Sequence, residues 1–234
     1  VRLGVGRAQE LMALGDWREA KEQWRHTLNQ MRQAERASLG EVALQRGWPD
    51  LATDAANAGA SWNRLDLRFP HSYWQIFQSV GDELQVDPYE LLSLARRESG
   101  LYPRARSKVG ARGLMQLMPA TARSVANERK EVYGDASTLY DPETNITLGA
   151  TYYVDLLSRF EGNRVKALAA YNAGPSRVVR WTEEEMAVDQ WVDSIPFGET
   201  REYVQAVLAY LVVYRMRAEQ PVSLLTAAER EVLY

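Results

Sequence analysis

The sequence predicts a mainly α-helical protein: a region of helical hairpins followed by an α-rich domain with room for only a very small β-sheet. Three observations carry this. Apolar residues recur at helical spacing in several segments, Asp-Pro and lone Pro residues stand where helices would begin, and no convincing run of alternating strand residues appears. At 234 residues the chain suits one large domain or two small ones.

Residues 5–14 read as a first helix, stopped by Gly15-Asp16. A second runs from about Trp17 to Met31, with Trp17, Ala20, Trp24, Leu28 and Met31 on one face. Two more short helices follow, split near Gly47-Trp48-Pro49. Packing between helices is the expected role of these tryptophans. The pattern fits stacked helix pairs, too few to be a stable solenoid alone. We therefore expect residues 1–70 to be a helical linker, the tail of a truncated α-superhelical domain.

A break at Arg68-Phe69-Pro70 opens a second domain, expected over 71–234. Asp87-Pro88-Tyr89-Glu90 reads as an N-cap, a Pro at the first helical position and a capping-box Glu. Asp141-Pro142 opens a helix expected to reach about Phe160, and Pro119 and Pro175 open two others. A long helix from about Thr200 to Arg217 carries Val204, Val207, Leu208 and Leu211 on one face. Any sheet would lie within Lys108 to Leu117.

Composition narrows the chemistry. There is no Cys, hence no disulfide, thiolate nucleophile or Cys-ligated zinc. The two histidines, His26 and His71, lack metal-type spacing and have no G-x-S-x-G partner. No metal or other cofactor is expected. With 28 basic against 31 acidic residues, the formal charge of −3 argues against a bulk electrostatic grip on nucleic acid. The longest purely apolar run, Ala206 to Tyr214, is too short to span a bilayer. No signal peptide is read, and the start at Val1 in place of Met points to removal of a preceding segment.

By elimination the chemistry rests on carboxylates, and Glu98 stands out. Leu91, Leu94, Ala95 and Glu98 follow i, i+3, i+4, i+7 spacing, so Glu98 lies on an apolar stripe in the last turn of its helix. Burial and the helix dipole both raise its proton affinity, as general-acid catalysis near neutral pH requires. The competing role is an ion pair with Arg104 or Arg106. From Ser99 to Asn127 there are five bases (Arg104, Arg106, Lys108, Arg112 and Arg123) and no acid. A second carboxylate would have to come from afar, for example Asp141 or Glu199, or the substrate must supply that group itself. The bases form either a solvated face or a binding surface for substrate carboxylates. Gln116, a lone amide in Gly113-Leu114-Met115-Gln116-Leu117-Met118, bonds either the core backbone or a sugar. In Ala170-Tyr171-Asn172-Ala173-Gly174-Pro175, Gly and Pro suit a helix end and a helix start. Tyr171 and Asn172 bring polar atoms to that corner.

Glu98-Ser99, Gly113-Leu114-Met115-Gln116, Ala170-Tyr171-Asn172-Ala173-Gly174 and Tyr203, in this order, resemble the motif set of the soluble lytic transglycosylases, bacterial murein-cleaving enzymes related to goose-type lysozyme. The resemblance covers roughly Pro70 to Tyr234 and includes Ile195-Pro196-Phe197 before Glu199-Thr200-Arg201. The sequence departs from the pattern at Lys108 and Arg112, where small or apolar residues are also expected. The resemblance implies a lysozyme-like catalytic domain acting on peptidoglycan in the periplasm. It implies cleavage of the β-1,4 bond between N-acetylmuramic acid and N-acetylglucosamine, leaving 1,6-anhydromuramic acid ends. Glu98 would be the catalytic acid and then base, with the substrate's acetamido group replacing a second carboxylate. Ser107, Gln116, Met118, Tyr171 and Asn172 would line the glycan cleft, Tyr203 would face the site, and Glu199 would contact substrate near the stem peptide. The implied partners are glycan strands with their stem peptides, whose carboxylates suit the basic segment. Two other readings stay open: a hydrolytic lysozyme on the same fold, and a helical adaptor that holds murein without cleaving it.

Overall fold

A computed structural model describes residues 1–181 and 186–231; the expected domain end at 234 lies outside the described residues. The fold is mainly α, and the chain forms two compact units. The first comprises Val1–Ser72 with Gly100–Arg104, the second Tyr73–Ser99 and Ala105–Tyr234.

In the first unit, α1 (Arg2–Ala13) pairs with α2 (Trp17–Asn29), and α3 (Arg36–Gln45) with α4 (Pro49–Ala58), before the short α5 (Leu65–Arg68). Helix α1 begins before residue 5, through Gly4, a poor helix former. The reason is close approach: a Cβ at Gly4 would lie 2.2 Å from Thr27 Oγ1 on α2. Trp24 fills the centre, fully buried, with Nε1 donating to the Leu51 carbonyl at 3.2 Å and its ring edge-on to Trp48. Trp17 packs against Tyr102 of the Gly100–Arg104 segment. Trp17, Trp24 and Trp48 are packing residues, as the helical spacing requires, whereas Trp62 is exposed.

The second unit contains α6 (Trp74–Leu84), α7 (Pro88–Ser99), α8 (Pro119–Glu128), α9 (Pro142–Arg159), α10 (Arg164–Ala173), α11 (Pro175–Trp181), α12 (Val188–Ser194), α13 (Gly198–Arg217) and α14 (Ala227–Glu231). The Pro residues stand at the helix starts where the sequence places them. Asp141 caps α9, accepting the Thr144 amide at 2.9 Å. Helix α13 lies along α7 and α10, with Val204, Val207, Leu208 and Leu211 buried. No strand forms among the described residues. The 105–117 segment has only two isolated antiparallel bridges, Arg106 with Arg112 and Arg112 with Leu117.

Glu90 departs from the expected capping box. Asp87 does cap α7, through Tyr89 N–H at 2.9 Å, but Glu90 closes no capping box. Its side chain turns inward, is 5% exposed, and accepts a hydrogen bond from the Tyr153 hydroxyl of α9. Nearby, Arg164 of α10 holds Glu229 of α14 with two hydrogen bonds of 2.6 Å. The charge of Arg164 favours ionised Glu90, while Asp87 and Glu229 oppose it. A capping-box Glu stays in solvent; this one is drawn in by a phenol that lies 63 residues away in the chain.

Candidate active site

Helix α7 delivers Glu98 as the stripe predicts. Leu91, Leu94 and Ala95 are fully buried, and Glu98, one turn on, is half-buried. The long α13 brings Tyr203 opposite, and its hydroxyl donates to Glu98 Oε1 at 2.6 Å. The bond that anchors Glu98 thus comes from a phenol, not from Arg104 or Arg106. Burial pushes the Glu98 carboxyl up to about 7; the Tyr203 hydrogen bond and the Arg97 charge pull it down, and Glu199 pushes it up. Tyr203 is itself held well above the usual phenol range, by burial first and then by the charge of Glu98. It is therefore a neutral donor at every working pH. The pair can hold or release a proton near neutrality.

Of the two distant acids, the structure separates the roles. Asp141 is occupied as the α9 cap, bonding both the Thr144 amide and hydroxyl. Glu199, exposed in the first turn of α13, is the acid whose charge acts on Glu98.

The segment after Glu98 folds back as a tight loop under the site. Ser99 Oγ donates to the Leu114 carbonyl at 2.8 Å, tying the end of α7 to the loop. The Tyr171 hydroxyl, from α10, donates to the Met115 carbonyl at 2.9 Å. Burial, then the charge of Glu98, raises the Tyr171 phenol well above its ordinary range. Gln116 adopts a left-handed backbone (φ 47°), unusual for a residue with a side chain. Its Nε2 donates to the Gly113 and Ala105 carbonyls at 2.9 and 3.2 Å, so the amide is used on backbone. Only glycine fits at 113, where a Cβ would lie 2.2 Å from both the Leu139 carbonyl and Asn145 Nδ2.

Asn145, which sequence reasoning missed, organises this loop. It is fully buried in α9, and its amide is completely engaged. Oδ1 accepts the Met115 amide at 2.7 Å, and Nδ2 donates to the Arg112 and Leu139 carbonyls at 3.0 and 2.9 Å. Buried amides require such partners. The signal available was an Asn in the first turn of a strongly capped helix, which looks solvent-facing.

The other expected residues divide. Asn172 Oδ1 accepts the Thr200 hydroxyl at 2.6 Å, linking α10 to the start of α13 close to Glu199. Ser107 closes the loop tip, its Oγ accepting the Ala111 amide at 3.0 Å, and Met118 is 40% exposed at the head of α8. The structure thus brings Tyr203, Glu199 and Tyr171 into the surroundings of the Glu98 carboxyl. Gln116 and Asn172 take structural bonds beside it, and no bond ties Ser107 or Met118 to Glu98 among the described residues. The bases disperse: the Arg112 guanidinium lies 5.7 Å from the Tyr140 ring centre, Arg123 lies 5.8 Å from that of Tyr133, and Lys108 is exposed. Among the described residues no group of three metal-ligating side chains forms, and no helix is long and apolar enough to cross a membrane.

Residues 75–194, more than half of the chain, match the family described as Transglycosylase SLT domain. The chain belongs to that family. The SLT match contains Glu98 and the loop beneath it. Residues 2–65 match the soluble lytic murein transglycosylase L domain, and 194–222 the soluble lytic transglycosylase helical domain. A putative soluble lytic murein transglycosylase of Haemophilus influenzae is 38% identical over 210 residues, 88% of this chain and 35% of that protein. The soluble lytic murein transglycosylase of Escherichia coli K12 is 37% identical over 229 residues, 96% of this chain and 36% of that protein. The chain therefore spans about a third of the length of these relatives. Among solved structures, an inactive Glu-to-Gln mutant of the Pseudomonas aeruginosa lytic transglycosylase Slt superposes with TM-score 0.90 at 34% identity, over 99% of this chain and 38% of that one. The 70 kDa soluble lytic transglycosylase in complex with bulgecin A gives 0.92 at 34% identity, with the same coverage.

Proposed function

We propose that this protein is a peptidoglycan lytic transglycosylase of the periplasm. It cleaves the β-1,4 bond between N-acetylmuramic acid and N-acetylglucosamine and leaves 1,6-anhydromuramic acid ends, in cell-wall remodelling and turnover. The observation that carries this reading is the half-buried Glu98 carboxyl, poised near pH 7 and held by the neutral Tyr203 phenol. The similarity to soluble lytic transglycosylases over nearly the whole chain supports the substrate.

Protonated Glu98 gives its proton to the glycosidic oxygen as the C1–O bond breaks. The 2-acetamido oxygen of the muramic sugar bonds C1 and takes up the developing positive charge, in place of a second carboxylate. Ionised Glu98, stabilised by Tyr203, then removes the proton of the C6 hydroxyl, whose oxygen bonds C1 and displaces the acetamido oxygen. Both proton transfers pass through one carboxyl, which ends as it began. An attacker within the same sugar has an effective concentration that water cannot match in a closed site. Ser107, Gln116, Met118, Tyr171 and Asn172 line the glycan cleft in this reading. Gln116 offers its carbonyl oxygen, since its amide N–H groups are engaged. Glu199 contacts substrate near the stem peptide. Residues 71–234 form the catalytic domain, and 1–70 a helical linker.

Digestion of purified sacculi, with fragments weighed by mass spectrometry, tests this. Anhydro ends from the wild type, and release of them reduced by orders of magnitude in Glu98→Gln, are expected. Reducing ends would assign the fold to hydrolysis, and binding without cleavage would make it an adaptor.

A further inference from the structure

Two charges of opposite sign act on Glu98: Arg97, its neighbour on α7, and Glu199 on α13. Arg97 is half-buried, and its Nε is buried without a hydrogen-bond partner. None of the ion pairs among the described residues includes it. Its guanidinium carbon lies 5.7 Å from the centre of the Tyr203 ring, and the hydroxyl of that ring is the donor to Glu98. A chain of contacts therefore runs from an un-neutralised cation, through a phenol, to the reacting carboxyl.

A cation over a phenol is attracted by the ring's negative face. It draws electron density from the ring, so the O–H becomes a stronger donor. A stronger donor to a carboxylate favours the ionised form, and the direct charge of Arg97 acts in the same direction. We propose that Arg97 is a positioning residue that holds and polarises the Tyr203 phenol and thereby sets the proton affinity of Glu98. The inference rests on Glu98 as the acid and base of the proposed reaction. The groups acting on Glu98 are Arg97 on its own helix and Glu199 and Tyr203 on α13, while α10 contributes Tyr171, whose phenol stays neutral and whose proton affinity the Glu98 charge raises. Burial and Glu199 work to keep the proton on, and Arg97 with Tyr203 works to let it go. A residue that must give up a proton in one step and reclaim one in the next needs both.

The test is the titration midpoint of the Glu98 carboxyl, followed by 13C NMR on protein labelled at glutamate side-chain carboxyls. The Glu98 signal is assigned as the one missing from Glu98→Gln. In Arg97→Gln the midpoint should rise by on the order of one pH unit, the effect of losing one partly buried charge beside the group. In Arg97→Lys, which keeps the charge but loses the planar contact with the ring, it should fall between the two. An unmoved midpoint in Arg97→Gln, or a shift in Arg97→Lys as large as in Arg97→Gln, overturns the proposal. A purely structural role for Arg97 would change thermal stability and leave the midpoint in place. The midpoint is read without substrate, so a failure here is distinct from a failure to find anhydro ends. Where those ends form, the alkaline limb of kcat/KM should move upward with the midpoint.

Discussion

Helix α7 carries two carboxylic acids, Glu90 near its start and Glu98 near its end. Burial pushes each up to about 7, and each accepts a hydrogen bond from a buried tyrosine, Tyr153 or Tyr203. What differs is the surroundings. Glu90 is sealed among α9, α10 and α14, beside the Arg164–Glu229 pair. Glu98 is half-buried, with the exposed Glu199 beside it and the Gly113–Gln116 loop below. A perturbed proton affinity marks an unusual environment; access for a substrate is what separates the acid of the proposed reaction from the structural one.

The largest test of that contrast is Glu98→Gln, which should lower release of anhydro fragments by about 10²–10⁴-fold while leaving the denaturant midpoint no lower than that of the wild type. Glu90→Ala should do the reverse. It strands the Tyr153 hydroxyl and should cost about 2–3 kcal/mol in urea unfolding at pH 6, with cleavage by the folded fraction intact. Loss of cleavage in a folded Glu90 variant would erase the distinction. A smaller effect comes from pH. The folded value for Glu90 lies above its unfolded value, so its stabilising share is complete below about 4.5 and drains away as pH rises through about 7. Stability should therefore fall by about 2 kcal/mol between pH 5 and pH 8 on this account, and Glu90→Gln should flatten that slope. The smallest change is Tyr203→Phe. Without the phenol O–H the Glu98 proton is held more tightly, and the cleavage rate should drop about tenfold, with the alkaline limb of its pH profile displaced upward.

The contrast also shows what could be read from the chain. Glu98 was visible because it interrupts an apolar stripe formed by Leu91, Leu94 and Ala95, a purely local pattern. Helix starts at Pro88, Pro119, Pro142 and Pro175 were visible for the same reason. Glu90 escapes the local rules because Asp87-Pro88-Tyr89-Glu90 satisfies each of them for a capping box, and the competing Tyr153 lies 63 residues away. Asn145 was overlooked for a similar reason, since its partners Met115 and Arg112 are 30 and 33 residues distant. Gln116 could be recognised as a residue needing partners, but not as one whose left-handed backbone points its amide at Ala105 and Gly113. Periodicity and capping are local; the satisfaction of buried polar groups is decided by the whole unit.

The loop under Glu98 ties together distant parts of the chain. Its backbone is held by Ser99, Asn145 and Tyr171, which reach it across 15, 30 and 56 residues of chain. Each closure costs more chain entropy than a local turn. The loop has its full set of bonds only when α9 and α10 are docked against it, whereas α7 needs only its own turns. A molecule in which α7 alone has formed therefore carries the Glu98 carboxyl without the loop that lies beneath it in the folded unit.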